Sequence, residues 1–70
     1  MTTATYDRHG DALLIELAPG ADAPGTVGEE TAPGVTLLYN HAGRLIGVEI
    51  LPASKIVAPE VLARYLPSRK

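Results

Sequence analysis

The apolar residues of this chain fall in short runs, and residues that favour turns bound each run. The three strongest runs are Ala12–Leu17, Val35–Tyr39 and Arg44–Leu51, and Pro52 ends the last because it has no donor for a sheet. Apolar runs of about four to eight residues with such flanks favour strands over helices. The pattern predicts an α+β, mostly β, fold: an antiparallel sheet of four or five strands built from hairpins, with a short C-terminal helix.

Two weaker segments complete the predicted sheet. Thr3–Tyr6 is short and rich in β-branched residues, and Thr26–Thr31 fits an edge strand whose outward Glu29 and Glu30 discourage stray pairing. Residues 7–11 are predicted to form a turn, in which Gly10 is free to adopt a positive φ because glycine has no Cβ to clash. The dipeptide 33–34 is Pro-Gly, which suits the centre of a type II turn.

The C-terminal residues follow a helical pattern. Ser54 is predicted to cap a first turn, and Pro59-Glu60 has the residue types that open a helix. A stripe of apolar residues continues from there at helical spacing: Val61, Leu62, Tyr65 and Leu66. A helix of about seven residues needs a packing partner to hold its shape, so we expect it to dock on a sheet. The chain is predicted to be a single domain, with residues 3–51 as the body and residues 52–70 as the tail.

Seventy residues without a cysteine limit how the fold is stabilised. A chain of this size buries only about 60% of its unfolded surface, and small domains compensate with disulfides, metals or oligomerisation. Disulfides and cysteine-based zinc sites are excluded by the composition. We therefore expect a homodimer.

Charge and composition exclude several functional classes. The net charge is −2, and only three residues are aromatic, so we expect neither nucleic-acid binding nor stacking on bases. No apolar run approaches the length of a membrane span, and Met1–Thr5 lacks the features of a signal peptide, so we expect a cytoplasmic protein without membrane contact. Residues 1–51 carry a net charge of −5 and residues 52–70 carry +3. An acidic body joined to a basic tail is a candidate for protein partners.

A possible internal repeat links two of the predicted hairpins. The segment Tyr6–Leu17 aligns without gaps on Tyr39–Ile50, so that tyrosines, turn glycines and glutamates coincide. One interpretation is that all hairpins with an Asx-x-x-Gly turn look alike. The other is that the two hairpins are equivalent, with Tyr6 and Tyr39 in matching core positions.

The candidates for a chemical site are few. Asp7, His9 and Asp11 offer one imidazole and two carboxylates, a set that suits a divalent metal, although Asp is also expected in a turn for backbone reasons. His41 lies in the matching turn and joins His9 only if the hairpin ends meet. Ser54 has no histidine nearby in the sequence, and the last candidates, Glu16 and Glu49, fit the solvent face of a sheet.

We therefore expect no catalytic, cofactor-binding or metal-binding residues, no cofactor, and no enzyme activity.

Several of these segments together resemble the domain of unknown function 2283 family. The resemblance rests on Tyr6-Asp7, on the run 11–17, on Gly34-Val35 with Leu38-Tyr39-Asn40, and above all on the run 43–54. Asn40 stands where the family pattern usually has Asp, and Leu14 where it often has an aromatic residue. The resemblance implies a small β-rich prokaryotic protein without an assigned activity. The resemblance further implies, as an expectation only, a small partner of a neighbouring protein, as in toxin–antitoxin pairs.

Two functional hypotheses follow. The first is a non-catalytic protein-interaction module that acts as a homodimer, for which an antitoxin-like partner of a neighbouring gene product is one form. The alternative is a small-ligand or metal-binding protein that uses the turns at Asp7–Asp11 and Asn40–Gly43.

Overall fold

A five-stranded antiparallel sheet forms the body of the protein. The computed structural model describes residues 2–20 and 25–64. Its elements, in chain order, are β1 (Thr3–Asp7), β2 (Ala12–Glu16), β3 (Val27–Ala32), β4 (Val35–Tyr39), β5 (Leu45–Ile50), α1 (Ala53–Ile56) and α2 (Pro59–Leu62). The strand order is β1-β2-β5-β4-β3. The predicted α+β, mostly β, fold is confirmed.

The turns between strands use the predicted residues, with one exception. Gly34 has a φ of 82° between β3 and β4, and a Cβ there would lie 2.5 Å from both Leu51 O and Ile56 Cδ1. In the first hairpin Gly10 is free to adopt a positive φ, but the residue that has one is Asp11, with a φ of 53°. Aspartate tolerates this left-handed conformation when its polar side chain is held locally.

The two hairpins β1–β2 and β4–β5 have the same strand register over three residue pairs. Thr5 lies opposite Leu14 in the first, and Leu38 lies opposite Gly47 in the second; adding 33 to both members of the first pair gives the second. The hairpins meet along β2 and β5, where Ile15 lies opposite Val48, its own counterpart at the same offset. A pseudo-two-fold axis therefore crosses the sheet at that pair, and the two hairpins are equivalent over these strand pairs. The expected matching core positions of Tyr6 and Tyr39 are not found: Tyr6 packs against the buried cluster of Leu13, Ala53 and Leu62, whereas Tyr39 is not among the residues packed against it and lies beyond a shift in register.

The two hairpins differ at their turns. In the first, Asp7 lies opposite Ala12, which leaves a loop of residues 8–11. In the second, a bulge between Leu38 and Tyr39 shifts the register, and Asn40 N donates to Arg44 O across a shorter loop of residues 41–43. Gly43 ends that loop with a φ of 80°. The residue with the left-handed backbone is therefore Asp11 in the first hairpin and Gly43, the counterpart of Gly10, in the second.

The C-terminal segment differs from its prediction in two respects. It forms two single-turn helices, and the part of the predicted stripe at Tyr65 and Leu66 lies outside the described residues. Ser54 does not cap a helix, because the N-cap of α1 is Pro52, and no side chain there makes a capping hydrogen bond. The Ser54 hydroxyl bonds to a carboxylate across the fold.

The helices pack on one half of the sheet. Leu13, Ala53 and Leu62 form the buried cluster, and five partly buried residues surround it: Ala4, Tyr6, Ile15, Ile50 and Val57. The Leu62 side chain is only 7% exposed, so α2 docks on the sheet of its own chain. A helix with an apolar stripe requires such a partner. The cluster lies over β1, β2 and β5.

Candidate functional site

Asp11 connects the first hairpin to the C-terminal segment. Its Oδ1 accepts hydrogen bonds from Tyr6 Oη at 2.7 Å and from Ser54 N at 2.9 Å, and its Oδ2 accepts one from Ser54 Oγ at 2.5 Å. Its backbone carbonyl accepts a further bond from Ala53 N at 2.7 Å. We call Tyr6, Asp11 and Ser54 the Asp11 cluster. It is the most concentrated set of side-chain hydrogen bonds among the described residues.

The electrostatics of the Asp11 cluster favour the usual protonation states. Hydrogen bonds from the Ser54 hydroxyl and from Tyr6 hold the pKa of the Asp11 carboxyl below its ordinary value. The hydrogen bond to that same carboxylate, with some desolvation, raises the pKa of Tyr6. A general base at neutral pH needs a pKa near 7, and a general acid likewise. The pKa of Asp11 is shifted further below 7 and the pKa of Tyr6 further above 7. The Asp11 cluster therefore has the properties of a structural anchor.

The three candidate ligands of the first turn do not converge. Asp7 Oδ1 accepts the backbone N–H of His9 at 3.0 Å, which is an Asx turn. The Asp11 carboxylate is directed to Tyr6 and Ser54 instead. Within residues 2–20 and 25–64, no group of three His, Asp or Glu side chains has an arrangement that holds a metal ion.

The second turn has the same Asx arrangement, with an amide side chain instead of a carboxylate. Asn40 Oδ1 accepts the backbone N–H groups of Ala42 and Arg44, both at 3.0 Å. Asn40 is the counterpart of Asp7 at the 33-residue offset. Because the side chain acts only as an acceptor in these two bonds, Asn40 closes the second turn as Asp7 closes the first, without the charge.

The two turns lie at opposite ends of the sheet. β2 and β5 are antiparallel neighbours, so the turn before β2 and the turn before β5 are at opposite ends. Strands of five residues span about 17 Å, which is too far for His9 and His41 to share a ligand. An open depression of about 610 Å³ lies at the first turn, lined by Tyr6, Asp7, Arg8 and His9.

The two glutamates lie on the face of the sheet that the helices leave open. Glu49 is opposite Leu14 and Glu16 is opposite Gly47, so both side chains alternate away from the face that carries Leu13. Thr3 Oγ1 donates to Glu16 Oε1 at 3.5 Å, at the limit of a hydrogen bond. Their predicted position on the solvent face is confirmed.

Sequence reasoning did not find the bond between Asp11 and Ser54. The two residues are 43 positions apart, and each is a residue type that local turn or cap chemistry explains by itself. The one signal was that the counterpart of Asp11 in the second hairpin is Arg44. That difference marks a position where the two hairpins have separate roles.

The fold and the anchor together define a class of protein: a small single-sheet domain made of two equivalent hairpins, one of which binds the C-terminal helices. The chain matches the family described as protein of unknown function (DUF2283) over residues 4–54, which is more than half of its length. The protein belongs to that family. The comparison with curated proteins found no match, and neither did the comparison with solved structures. No helix in the described part of the chain is long and apolar enough to cross a membrane.

Proposed function

We propose that this protein is a non-catalytic, cytoplasmic protein-interaction module that works as a homodimer. The observation that carries the proposal is the contrast between its core and its surface. Among the described residues, four apolar side chains are buried: Leu13, Ile46, Ala53 and Leu62. Five large apolar side chains are exposed, at 40% for Leu17, 59% for Val27, 42% for Leu45, 48% for Leu51 and 41% for Ile56.

A core of this size leaves the free monomer marginal. Burying apolar surface contributes about 25 cal/mol per Å², so a modest interface that covers some of these side chains adds several kcal/mol. The exposed side chains are distributed over the molecule. Leu51 and Ile56 both lie beside Gly34 at one end, whereas Leu17 follows β2 and Leu45 begins β5 at the other. A molecule with apolar groups at both ends can bind a second copy through one region and a different protein through another.

The Asp11 cluster supports the non-catalytic part of the proposal. The pKa of Asp11 is lowered and the pKa of Tyr6 is raised, so both shifts favour the resting protonation state. The three side chains of the cluster use their hydrogen-bonding groups on one another. This leaves binding as the function that the surface supports best.

A neighbouring gene product is the partner that we propose, with an antitoxin-like role as the specific form. The test is to express the neighbouring gene alone and together with this protein, in the source organism or a close host. We expect the two proteins to co-purify as a complex of defined mass, and growth arrest by the neighbour alone to be relieved by co-expression. An unrelated small β-protein serves as the control bait. Failure of the neighbour to co-purify, with growth unaffected in both arms, would contradict the proposal.

The alternative function uses the depression at the first turn. His9 and the carboxylate of Asp7 both line it, and they are the residue types that bind a divalent metal or a small polar ligand. The test is the melting temperature with and without added Zn²⁺ or Ni²⁺. A metal-dependent rise that His9→Asn abolishes and His41→Asn preserves would favour this alternative over the interaction module.

A further inference from the structure

Within the described part of the chain the sheet has two edges without a further strand, and they differ in how well they resist pairing. β1 and β3 are the terminal strands in the order β1-β2-β5-β4-β3. A terminal strand presents unpaired N–H and C=O groups on its outer side, which is a template for another strand. Natural sheets protect such edges with charges and bulges, so a protected and an unprotected edge have different consequences.

β3 has the features of a protected edge. All six of its residues are exposed, and two consecutive ones, Glu29 and Glu30, place a carboxylate on each face. A register shift between Glu30 and Ala32 interrupts the strand. Two copies of β3 side by side would bring like charges together, which is destabilising.

β1 has none of these features between Thr3 and Tyr6. Those four residues are Thr, Ala, Thr and Tyr, and the first charge is Asp7 at the end of the strand. Its register with β2 is continuous over all five pairs. Ala4 and Tyr6 are half-buried against the core cluster, so the apolar layer of the protein extends to this edge.

In an antiparallel sheet the residues of a strand bond alternately to one neighbouring strand and to the other, and this alternation determines which backbone groups of β1 face outward. Leu17 N donates to Ile46 O, which continues the register of β2 with β5, so the odd-numbered residues of β2 direct their backbone groups to β5. The even-numbered residues of β2 then bond to β1, where their partners include Thr3 and Thr5. The backbone groups of Ala4 and Tyr6 therefore point away from the sheet.

We propose that β1 pairs antiparallel with β1 of a second copy of this chain, about a two-fold axis at Thr5, to form a continuous ten-stranded sheet. This inference rests on the homodimer of the proposed function and places its interface on β1, which carries none of the five exposed apolar side chains, so those side chains remain available to a different protein. In this register Ala4 exchanges both backbone hydrogen bonds with Tyr6 of the partner subunit, and the symmetric pair does the same. The axis makes the contact isologous, as in most homodimers.

The side chains of β1 are complementary to themselves in this register. On the helix-covered face, the small Ala4 lies opposite the large Tyr6 of the partner subunit, and the two core clusters become one layer. On the open face, Thr5 lies opposite its own copy, a cross-strand pair that stabilises sheets. Thr3 lies opposite Asp7 of the partner subunit, which keeps the two Asp7 carboxylates apart, and the Thr3 hydroxyl would exchange its long bond to Glu16 for one to that carboxylate.

Single cysteines test both the edge and the register, because the chain has no cysteine of its own. Thr5 would form a non-hydrogen-bonded pair with its copy, with Cα atoms about 4.5 Å apart, which is within the range that a disulfide spans. We expect Thr5→Cys to form a covalent dimer when treated with oxidised glutathione. Thr3→Cys lies about 14 Å from its copy in this register and is expected to remain uncrosslinked. Thr31→Cys, on the exposed β3, is the matched control at the other edge.

A second variant tests the backbone contact. Ala4→Pro removes an N–H that points outward and no bond within the sheet, and edge strands accept proline in that position. Light scattering at micromolar concentration should give about twice the mass of 7.3 kDa for the natural chain and the single mass for Ala4→Pro. Circular dichroism checks that the variant keeps its sheet.

The outcomes separate the interface from the dimer itself. A dimeric natural chain in which Thr5→Cys crosslinks no better than Thr31→Cys would overturn pairing through β1 and leave the homodimer standing. Preferential crosslinking of Thr3→Cys would overturn the Thr5-centred register. A monomeric natural chain at all concentrations would overturn both the interface and the homodimer, whereas the neighbouring gene product is tested independently.

Discussion

The two hairpins share a register over three strand pairs and an Asx bond in the turn, yet only one of them carries the C-terminal segment. β1–β2 contains Asp11, whose carboxylate and carbonyl together accept bonds from Tyr6, Ala53 and Ser54. β4–β5 has Arg44 at that position and is closed by Asn40 and Gly43 alone. The helices pack over the first hairpin and over β5. Asp11 thus distinguishes the hairpin that binds the C-terminal segment from its counterpart.

The largest expected effect comes from the equivalent core positions of the two hairpins. Leu13 and Ile46 are counterparts at the 33-residue offset, exposed at 2% and 6%. Alanine at a buried Leu or Ile costs about 2–5 kcal/mol, and the cost rises with the volume of the cavity that the substitution leaves. Because Leu13 also packs against Ala53 and Leu62, Leu13→Ala should lower the free energy of unfolding more than Ile46→Ala does. Urea denaturation measures both, and an equal decrease in the two variants would show that the helices add little to the first hairpin.

Removing the Asp11 carboxylate is expected to have the next largest effect on stability. Asp11→Gly removes the carboxylate and keeps a backbone that tolerates a positive φ. Without the carboxylate, Tyr6 Oη and the Ser54 hydroxyl lose their partner, so we expect the melting temperature to fall by roughly 5 °C or more. Arg44→Gly is the matched control in the second hairpin and should have a smaller effect, because Arg44 is exposed. A larger fall for Arg44→Gly would contradict the assigned roles.

The anchor should also depend on pH in a defined direction. The folded pKa of Asp11 is lowered, so its stabilisation is present above about pH 4, the unfolded value, and is lost as pH falls through the folded pKa. The folded pKa of Tyr6 is raised, so its contribution is present below about pH 10 and is lost as pH rises further. The difference in melting temperature between the natural chain and Asp11→Gly should narrow below pH 4. A difference that stays constant across that range would show that the charge is irrelevant.

The smallest effect is expected in the second turn. Asn40→Asp keeps the oxygen that accepts the N–H groups of Ala42 and Arg44, so the free energy of unfolding should change by no more than about 0.5 kcal/mol. Asn40→Ala removes the acceptor and should cost more, about 1 kcal/mol. If the aspartate variant were as damaging as alanine, the acceptor role assigned to this side chain would be wrong.

The sequence predicted the strands well because their signals are local. Val35–Tyr39 and its neighbours are short apolar runs between turn residues, and each of these runs forms a strand of the sheet. The prediction was wrong where a residue had two chemically plausible partners. Ser54 was assigned to a local cap, and it bonds to Asp11 instead. A contact over 43 positions has no periodicity, so it could be found only from the fold.

The most direct test of this account is whether Asp11 and Ser54 act as a unit, which the melting temperatures of four proteins reveal. These are the natural chain, Asp11→Gly, Ser54→Ala and the double variant. If the bond seen in the structure links the first hairpin to α1, Ser54→Ala lowers the melting temperature of the natural chain and changes that of Asp11→Gly by almost nothing. An equal decrease from Ser54→Ala in both backgrounds would contradict the anchor and, with it, the distinction between the two hairpins.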